Sequence, residues 1–436
     1  MPSINESWKT LVEKYKIAEK IQRNGLFHIT ATQIKEYKEP RLMASFNYSA
    51  SLPKILKDEK INILPTSRSS YVLGNFNIYH PVPSIAGEKV FELSEISDVR
   101  LPDFETIDVN EIGSEANAIN VLVLTKILDD FLGIESSATF NGRMGTGEFD
   151  FTIDSIDGFS HTISVKNAQC EIDGGFESEN EIIILEAKNV LYDDFNVRQL
   201  YYPFRTWEMK VSKPIRLVFA IYTNKIFRLT EYRFSELNNY SSITIVQSKN
   251  YSVDDTTITI EELRETRSKT IIRTDDNKDS DSVTVPFIQA DNFERVISLL
   301  ENLYENPLTV LEIAELMQFD KRQSDYYFNA GNYLGLFEKR NLAGVGEAVY
   351  LTEIGELIHN MSYKSRQLKL VSLILEHQIF ADLFDYVNIN GFQPAKIDVM
   401  LKMSEYNVVT INSSTHKRRA TTVSAWLQWI FDLLRG

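Results

Sequence analysis

One cysteine, Cys170, stands alone in 436 residues. No disulfide can close within the chain and no cysteine-rich zinc site can form, because each needs at least a pair of thiols. Any metal must therefore be held mainly by oxygen. The six histidines are scattered, and the patterns GxxxxGK, HExxH and GxSxG are absent, which argues against ATP-driven translocation within this chain and against the zinc-peptidase and serine-hydrolase site types. No apolar run reaches the roughly 18 residues of a membrane span. The N-terminus, MPSINESWKTLVEKYKIAEK, is charged and helix-like, unlike a signal peptide. These absences lead us to expect a soluble cytoplasmic protein with no membrane partner.

What is present is ordinary globular material. A hydrophobic content of 43% with 11% aromatics over 436 residues suits two to four packed domains. The formal net charge of -15 sits awkwardly with DNA binding, since Lys and Arg on phosphates supply most nonspecific affinity. Distribution matters more than the total. An enzyme that gathers carboxylates around a divalent metal can be acidic overall while presenting local basic surfaces.

Periodicity and turn signals divide the chain into an α/β (α+β) multidomain arrangement of five parts. Residues 1–105 read as an α+β module, a candidate for DNA recognition, with a β-like SYVLGNF at 70–76 and prolines at 53, 65, 81 and 83. Residues 106–235 read as a mixed α/β core. A long helix carries Ile112, Ala116, Ile119, Val123, Ile127 and Phe131 at helical spacing, with Ser114 near its start and Gly133 at its end. Strands are predicted at 148–153, 161–172 and 181–188, divided by turn signals at Asp157-Gly158 and Gly174-Gly175. A helix around RQLYYPFRTWEMK and strands at RLVFAIYT and IFRLTEYRF follow. Residues 236–290 form an extension and linker, whose segment TDDNKDSDSV at 274–283 lacks large apolar groups. Residues 291–362 give helices followed by a hairpin-like LFEKRNLAGVGEAVYL, the order of a winged helix. Residues 363–436 are helical, with a basic cluster and with Trp426 and Trp429 on the buried face of the last helix.

Phosphodiester hydrolysis at neutral pH needs charge neutralised on the phosphoryl oxygens, a metal that acidifies the attacking water, and fixed in-line geometry. Two carboxylates and a lysine can provide this. The apolar run Ile182, Ile183, Ile184, Leu185 reads as a buried central strand leading into Glu186, Ala187 and Lys188. Period two places Glu186 and Lys188 on one face. Asp173, at the end of the preceding strand beside Gly174-Gly175, would join them across a hairpin. Asp173 and Glu186 would ligate Mg²⁺, and Lys188 would orient or help deprotonate the water. An acid-x-Lys triplet alone means little, since it recurs at Glu36 to Lys38, Asp58 to Lys60, Glu208 to Lys210 and Asp276 to Lys278. Only the triplet at 186 closes a strongly apolar strand.

The stretch QCEIDGGFESENEIIILEAKN, with FNVRQLYYPFRTW after it, resembles the PD-(D/E)xK nuclease core of type II restriction endonucleases. The likeness extends to EYKEPRLMASF, ILPTSRSSYVLGNF, VPFIQADNFERVISLL and RQSDYYFNAGNYLGLF. It implies a mixed sheet flanked by helices and Mg²⁺-dependent cleavage of double-stranded DNA at a short sequence. It also implies Asp173, Glu186 and Lys188 in the motif positions, and a cognate DNA methyltransferase as a genetic partner. No proline precedes Asp173, which leaves Asp150 or Glu171 as a substitute first acid. Glu115 on the first helix would be an outer carboxylate by the same resemblance. Gln199 could face the metal's water or the DNA backbone.

For DNA contact, the predicted recognition helix presents Lys321, Arg322, Gln323, Tyr326 and Asn329. His416, Lys417, Arg418 and Arg419 form the densest basic run, with Ser413, Ser414 and Thr415 able to cap a helix. In the first module Lys35 and Arg41 flank Tyr37, and Arg68 sits in a serine-rich loop. A palindromic duplex would call for a homodimer. Two alternatives stand beside a restriction endonuclease: a repair or structure-selective nuclease on the same core, and a winged-helix regulator without catalysis.

Overall fold

The computed structural model describes residues 3–435 except 84–87, 97–100, 103, 110, 274–286, 305, 318–320, 343, 345 and 407–412. The segment 274–283, expected to be a linker, lies outside the described residues. The chain is mixed α/β, and no described helix is long and apolar enough to cross a membrane.

The first unit opens with the Ile4–Tyr15 helix. It starts at a capping box between Ser3 and Glu6 and buries Trp8 and Leu11 completely. Its helices cover a small antiparallel sheet of β1 (Leu26–Thr30), β2 (Asn62–Pro65) and β3 (Ser70–Gly74), in the order β1-β3-β2. The chain then reaches the main sheet through β4 (Tyr79–Pro81) and β5 (Val90–Glu92).

The main sheet contains β5, β6 (Ser137–Gly145), β9 (Gln169–Glu177), β10 (Ile182–Lys188), β12 (Ile215–Thr223), β13 (Ile226–Phe234) and β14 (Ile243–Ser252). Its seven strands run in the order β5-β14-β13-β12-β10-β9-β6. The pairs β10–β12 and β14–β5 are parallel and the others antiparallel. A separate ribbon pairs β7 (Glu148–Asp154) with β8 (Ser160–Lys166), and β11 (Asp194–Asn196) pairs with β4. Both faces of the central strands are covered. Ile183, Leu185 and Ala187 pack with the helices Glu115–Leu124 and Ile127–Leu132, whereas Ile184, Leu217, Phe219 and Ile221 pack with Leu200 of the Arg198–Glu208 helix.

Four expectations need correction. The single helix ending at Gly133 is two helices, broken at Lys126, which adopts a left-handed φ of 58°. The caps at Ser114 and Gly133 stand as read from the sequence. The strand expected over 161–172 is two, β8 and β9. It bends where Gly147 and Asn167, at φ values of 73° and 52°, meet through a 2.7 Å hydrogen bond from the Asn167 N–H to the Gly147 carbonyl. Gly174 and Gly175 are not a turn but lie inside β9, and the chain reverses at residues 178–181. Their missing side chains serve packing, since a Cβ on Gly175 would stand 2.4 Å from the Phe140 ring. Asp173 consequently sits in mid-strand.

The C-terminal unit places helices Phe293–Leu303, Val310–Leu316 and Lys321–Tyr333 before the hairpin of β15 (Phe337–Leu342) and β16 (Gly346–Leu351). Leu308 bridges to Val349 beside that hairpin. Five further helices follow, ending with Ser413–Asp432. One continuous core joins all of this, with Trp426 fully buried and Trp429 nearly so.

Candidate active site

Strand β10 is buried along its whole length because it lies between β9 and β12 and beneath helices on both faces. Its alternation puts Glu186 and Lys188 on the side of Ile184, facing the Arg198–Glu208 helix. Lys188 Nζ donates to Glu186 Oε1 at 2.7 Å and to the Ala187 carbonyl at 2.6 Å. Strand β9 runs antiparallel with Leu185 opposite Gly174, so Asp173 falls next to the end of β10. The Ala187 N–H donates to Asp173 Oδ2 at 3.0 Å, and Lys188 Nζ lies 3.6 Å from the same oxygen. Glu115, first residue of its helix, brings Oε1 to 3.7 Å from Lys188 Nζ. From the opposite layer Gln199 Nε2 donates to Glu186 Oε1. Thus Asp173, Glu186, Lys188, Glu115 and Gln199, chosen from sequence, meet at one point.

Burial sets the electrostatics. Glu186 and Lys188 are 7% and 8% exposed. Desolvation pushes the Glu186 carboxyl up to about 7, against the opposing pull of Lys188. Burial alone would lower the Lys188 ammonium, but Glu186, Glu115 and Asp173 outweigh it and raise its pKa. The Glu115 carboxyl is raised too, first by burial and also by Asp173. The cluster is one cation among three acids.

This cluster forms the floor of a cleft of about 980 Å³. The first unit supplies much of the wall, including Lys35, Arg41 and Arg68, all exposed. It is held there by hydrogen bonds from two backbone amides: the Asn196 N–H donates to the Asn47 carbonyl at 2.7 Å, and the Ser49 N–H to the Asp194 carboxylate oxygen Oδ1 at 2.8 Å. Among the cleft residues that sequence reasoning missed are Arg143, Arg198, Tyr48 and Tyr192. Tyr48 and Tyr192 stack with ring centroids 3.4 Å apart. Arg198 had a usable signal, since it adjoins Gln199. The others come from segments whose meeting is tertiary.

The substitute acids fare differently. Asp150 is exposed on β7, outside the cleft, and its carbonyl accepts from Arg205 at 3.1 Å. Glu171 lines the cleft but pairs with Arg143 at 3.1 Å. Neither makes the contacts that Asp173 makes.

The C-terminal candidates gather elsewhere. Arg418 stacks over the Tyr326 ring at 5.4 Å, as does Arg322 at 5.5 Å, so the last helix and the Lys321–Tyr333 helix meet at that tyrosine. Arg322, Gln323, Lys417 and Arg418 are exposed, whereas Asn329 and Arg419 are half-buried. The side chains of Lys321, Ser413 and Ser414 lie outside the described residues.

Among the described residues, no three His, Cys, Asp or Glu side chains are grouped to hold a metal by themselves. Mg²⁺ asks for less: it takes one or two carboxylates and keeps water or substrate phosphate elsewhere. Asp173 and Glu186 meet that demand with an all-oxygen set. Gln199 Oε1 is buried with no donor among the described residues.

Three families of unknown function match the chain in succession: Domain of unknown function (DUF6996) over residues 5–73, Domain of unknown function (DUF6997) over 74–252, and Domain of unknown function (DUF7226) over 295–435. No curated protein and no solved structure matches it. The whole candidate cluster lies in the 74–252 match, and Lys35, Arg41 and Arg68 lie in the 5–73 match.

Proposed function

We propose that this chain is a Mg²⁺-dependent endonuclease that hydrolyses double-stranded DNA at a specific sequence, a type II restriction enzyme on a PD-(D/E)xK core. The observation that carries the proposal is the convergence of Asp173 and Glu186 on Lys188 at the end of a buried central strand, under a cleft walled by Lys35, Arg41 and Arg68. Asp173 and Glu186 would hold Mg²⁺, which neutralises phosphoryl charge and acidifies water. Lys188, kept a cation by its three acidic neighbours, orients the attacking water and offsets charge on the scissile phosphate, a role that suits an ammonium better than proton abstraction does. Gln199 fixes the Glu186 carboxylate. Residues 291–362 would act as a winged helix. Its Arg322, together with Arg418, presents cations around Tyr326 for phosphate contact. A twofold-symmetric site would be cut by a homodimer.

Incubating the purified chain with unmethylated phage DNA, with and without Mg²⁺ and alongside Lys188→Met, tests this reading. Discrete Mg²⁺-dependent fragments that vanish in the variant support it. Unpatterned degradation would point to a repair or structure-selective nuclease, and intact DNA would refute it.

A further inference from the structure

A second cavity, of about 670 Å³, lies between the main sheet and the C-terminal helices, within the ~300–1,000 Å³ usual for small-molecule sites. Arg228 on β13 and Asn250 on β14 are register partners, so their side chains stand together on one face. Both line the cavity and are only 5% and 2% exposed. Arg228 Nη2 is taken by Glu294 at 3.0 Å. Arg228 Nε and Asn250 Nδ2, however, have no acceptor among the described residues. Buried donors are rarely left so, because losing water without gaining an acceptor is costly.

The rest of the wall narrows the ligand. Phe293, Tyr327 and Trp429 supply aromatic surface, with the Phe293 and Trp429 rings 4.2 Å apart. Glu88, Asp291 and Asp432 add carboxylates. Five acids line the cavity against two arginines, which disfavours an anion. A fitting occupant is flat and uncharged, with acceptors along one edge for Arg228 and Asn250 and donors along another for the carboxylates. We propose that this cavity binds a purine or pyrimidine base. Tyr192 lines both this cavity and the catalytic cleft, and its hydroxyl donates to the Leu316 carbonyl at 3.0 Å, so an occupant adjoins the cleft through one side chain. The base can come as a free nucleoside or be turned out of a duplex.

The test uses the full chain in EDTA, so that no cleavage is involved and failure of the nuclease reading leaves it intact. One arm titrates 2-aminopurine deoxyriboside and reads anisotropy. The other titrates a duplex carrying one 2-aminopurine and reads emission, which rises when the base leaves the stack. Both are repeated with Asn250→Ala and with Ala425→Phe, which fills the cavity from the last helix without removing a polar group. A saturable anisotropy rise, weakened about tenfold or more in either folded variant, supports a free nucleoside. An emission rise abolished by the variants supports an extruded base. The proposal is overturned if neither probe responds, or if both variants respond as the wild type does.

Discussion

Lys188→Met keeps the side chain's length and removes its charge, leaving Glu186, Asp173 and Glu115 around an apolar group. The ammonium now stands 2.7, 3.6 and 3.7 Å from their oxygens. Removing one partner of a buried ion pair costs about 3–5 kcal/mol, and at pH 8, with Glu186 ionised, that range should apply here. Without the cation Glu186 takes up a proton that the wild type, with its carboxyl at about 7, has released. The variant then binds one more proton above pH 7, and its deficit shrinks by up to ~1.4 kcal/mol from pH 8 to 7. Below about 6 both forms hold that proton and the deficit levels off. Added Mg²⁺ restores a positive charge and, at tenfold its dissociation constant, should stabilise the variant over its metal-free form by ~1.4 kcal/mol. Hydrogen exchange of the β9–β10 amides reports this sheet rather than the whole chain. A loss under 1 kcal/mol that ignores both pH and Mg²⁺ would refute the assignment of Lys188 as the central counter-charge.

Glu186→Gln tests the carboxyl itself. Because the folded pKa lies above the ordinary value of 4.5, the wild type's stability from this group is complete below about 4.5 and lost as pH rises through about 7. The Gln variant should therefore gain on the metal-free wild type between pH 5 and 8, by at most ~3 kcal/mol, in paired thermal melts across that range. Gly175→Ala puts a Cβ 2.4 Å from the Phe140 ring and 2.5 Å from the Phe140 carbonyl, so β6 and β9 must separate, and urea unfolding should show a destabilisation of at least ~1–3 kcal/mol. Replacing Lys35, Arg41 and Arg68 with alanine should weaken duplex binding across all sequences and flatten the log-affinity against log-salt slope by about 1 for each phosphate no longer neutralised; an unchanged slope in filter binding would remove these residues from the DNA path.

The candidate cluster was legible because its signals are local. Four apolar residues before Glu186 mark a strand buried on both faces, and period two then fixes which side Glu186 and Lys188 share. Asp173 was found for a partly mistaken reason. A glycine pair ordinarily means a turn, but here the pair makes room for Phe140 and Phe176, and the antiparallel pairing that places Asp173 persists beyond it. The break at Lys126 was hidden because lysine carries no turn signal, and its left-handed backbone is visible only in three dimensions. Tyr48 and Tyr192 come together through the pairing of residues 46–49 with 194–196, a tertiary fact that no window of sequence contains.

The charge distribution answers, at the cleft alone, the objection that the total raised. The chain as a whole carries -15, yet the cleft over the candidate cluster is lined by six Lys or Arg residues against five Asp or Glu residues. Three of those five acids, Glu115, Asp173 and Glu186, surround Lys188, and Glu171 is paired with Arg143. The outward-facing remainder is Lys35, Arg41, Arg68 and Arg198 against Glu39, a local excess of cation on an acidic protein. If Asp173 and Glu186 hold Mg²⁺ as proposed, that balance would shift further toward a phosphate backbone. On the proposed reading, an acidic surface around a cationic cleft would weaken nonspecific binding of a phosphate backbone more than binding in the cleft.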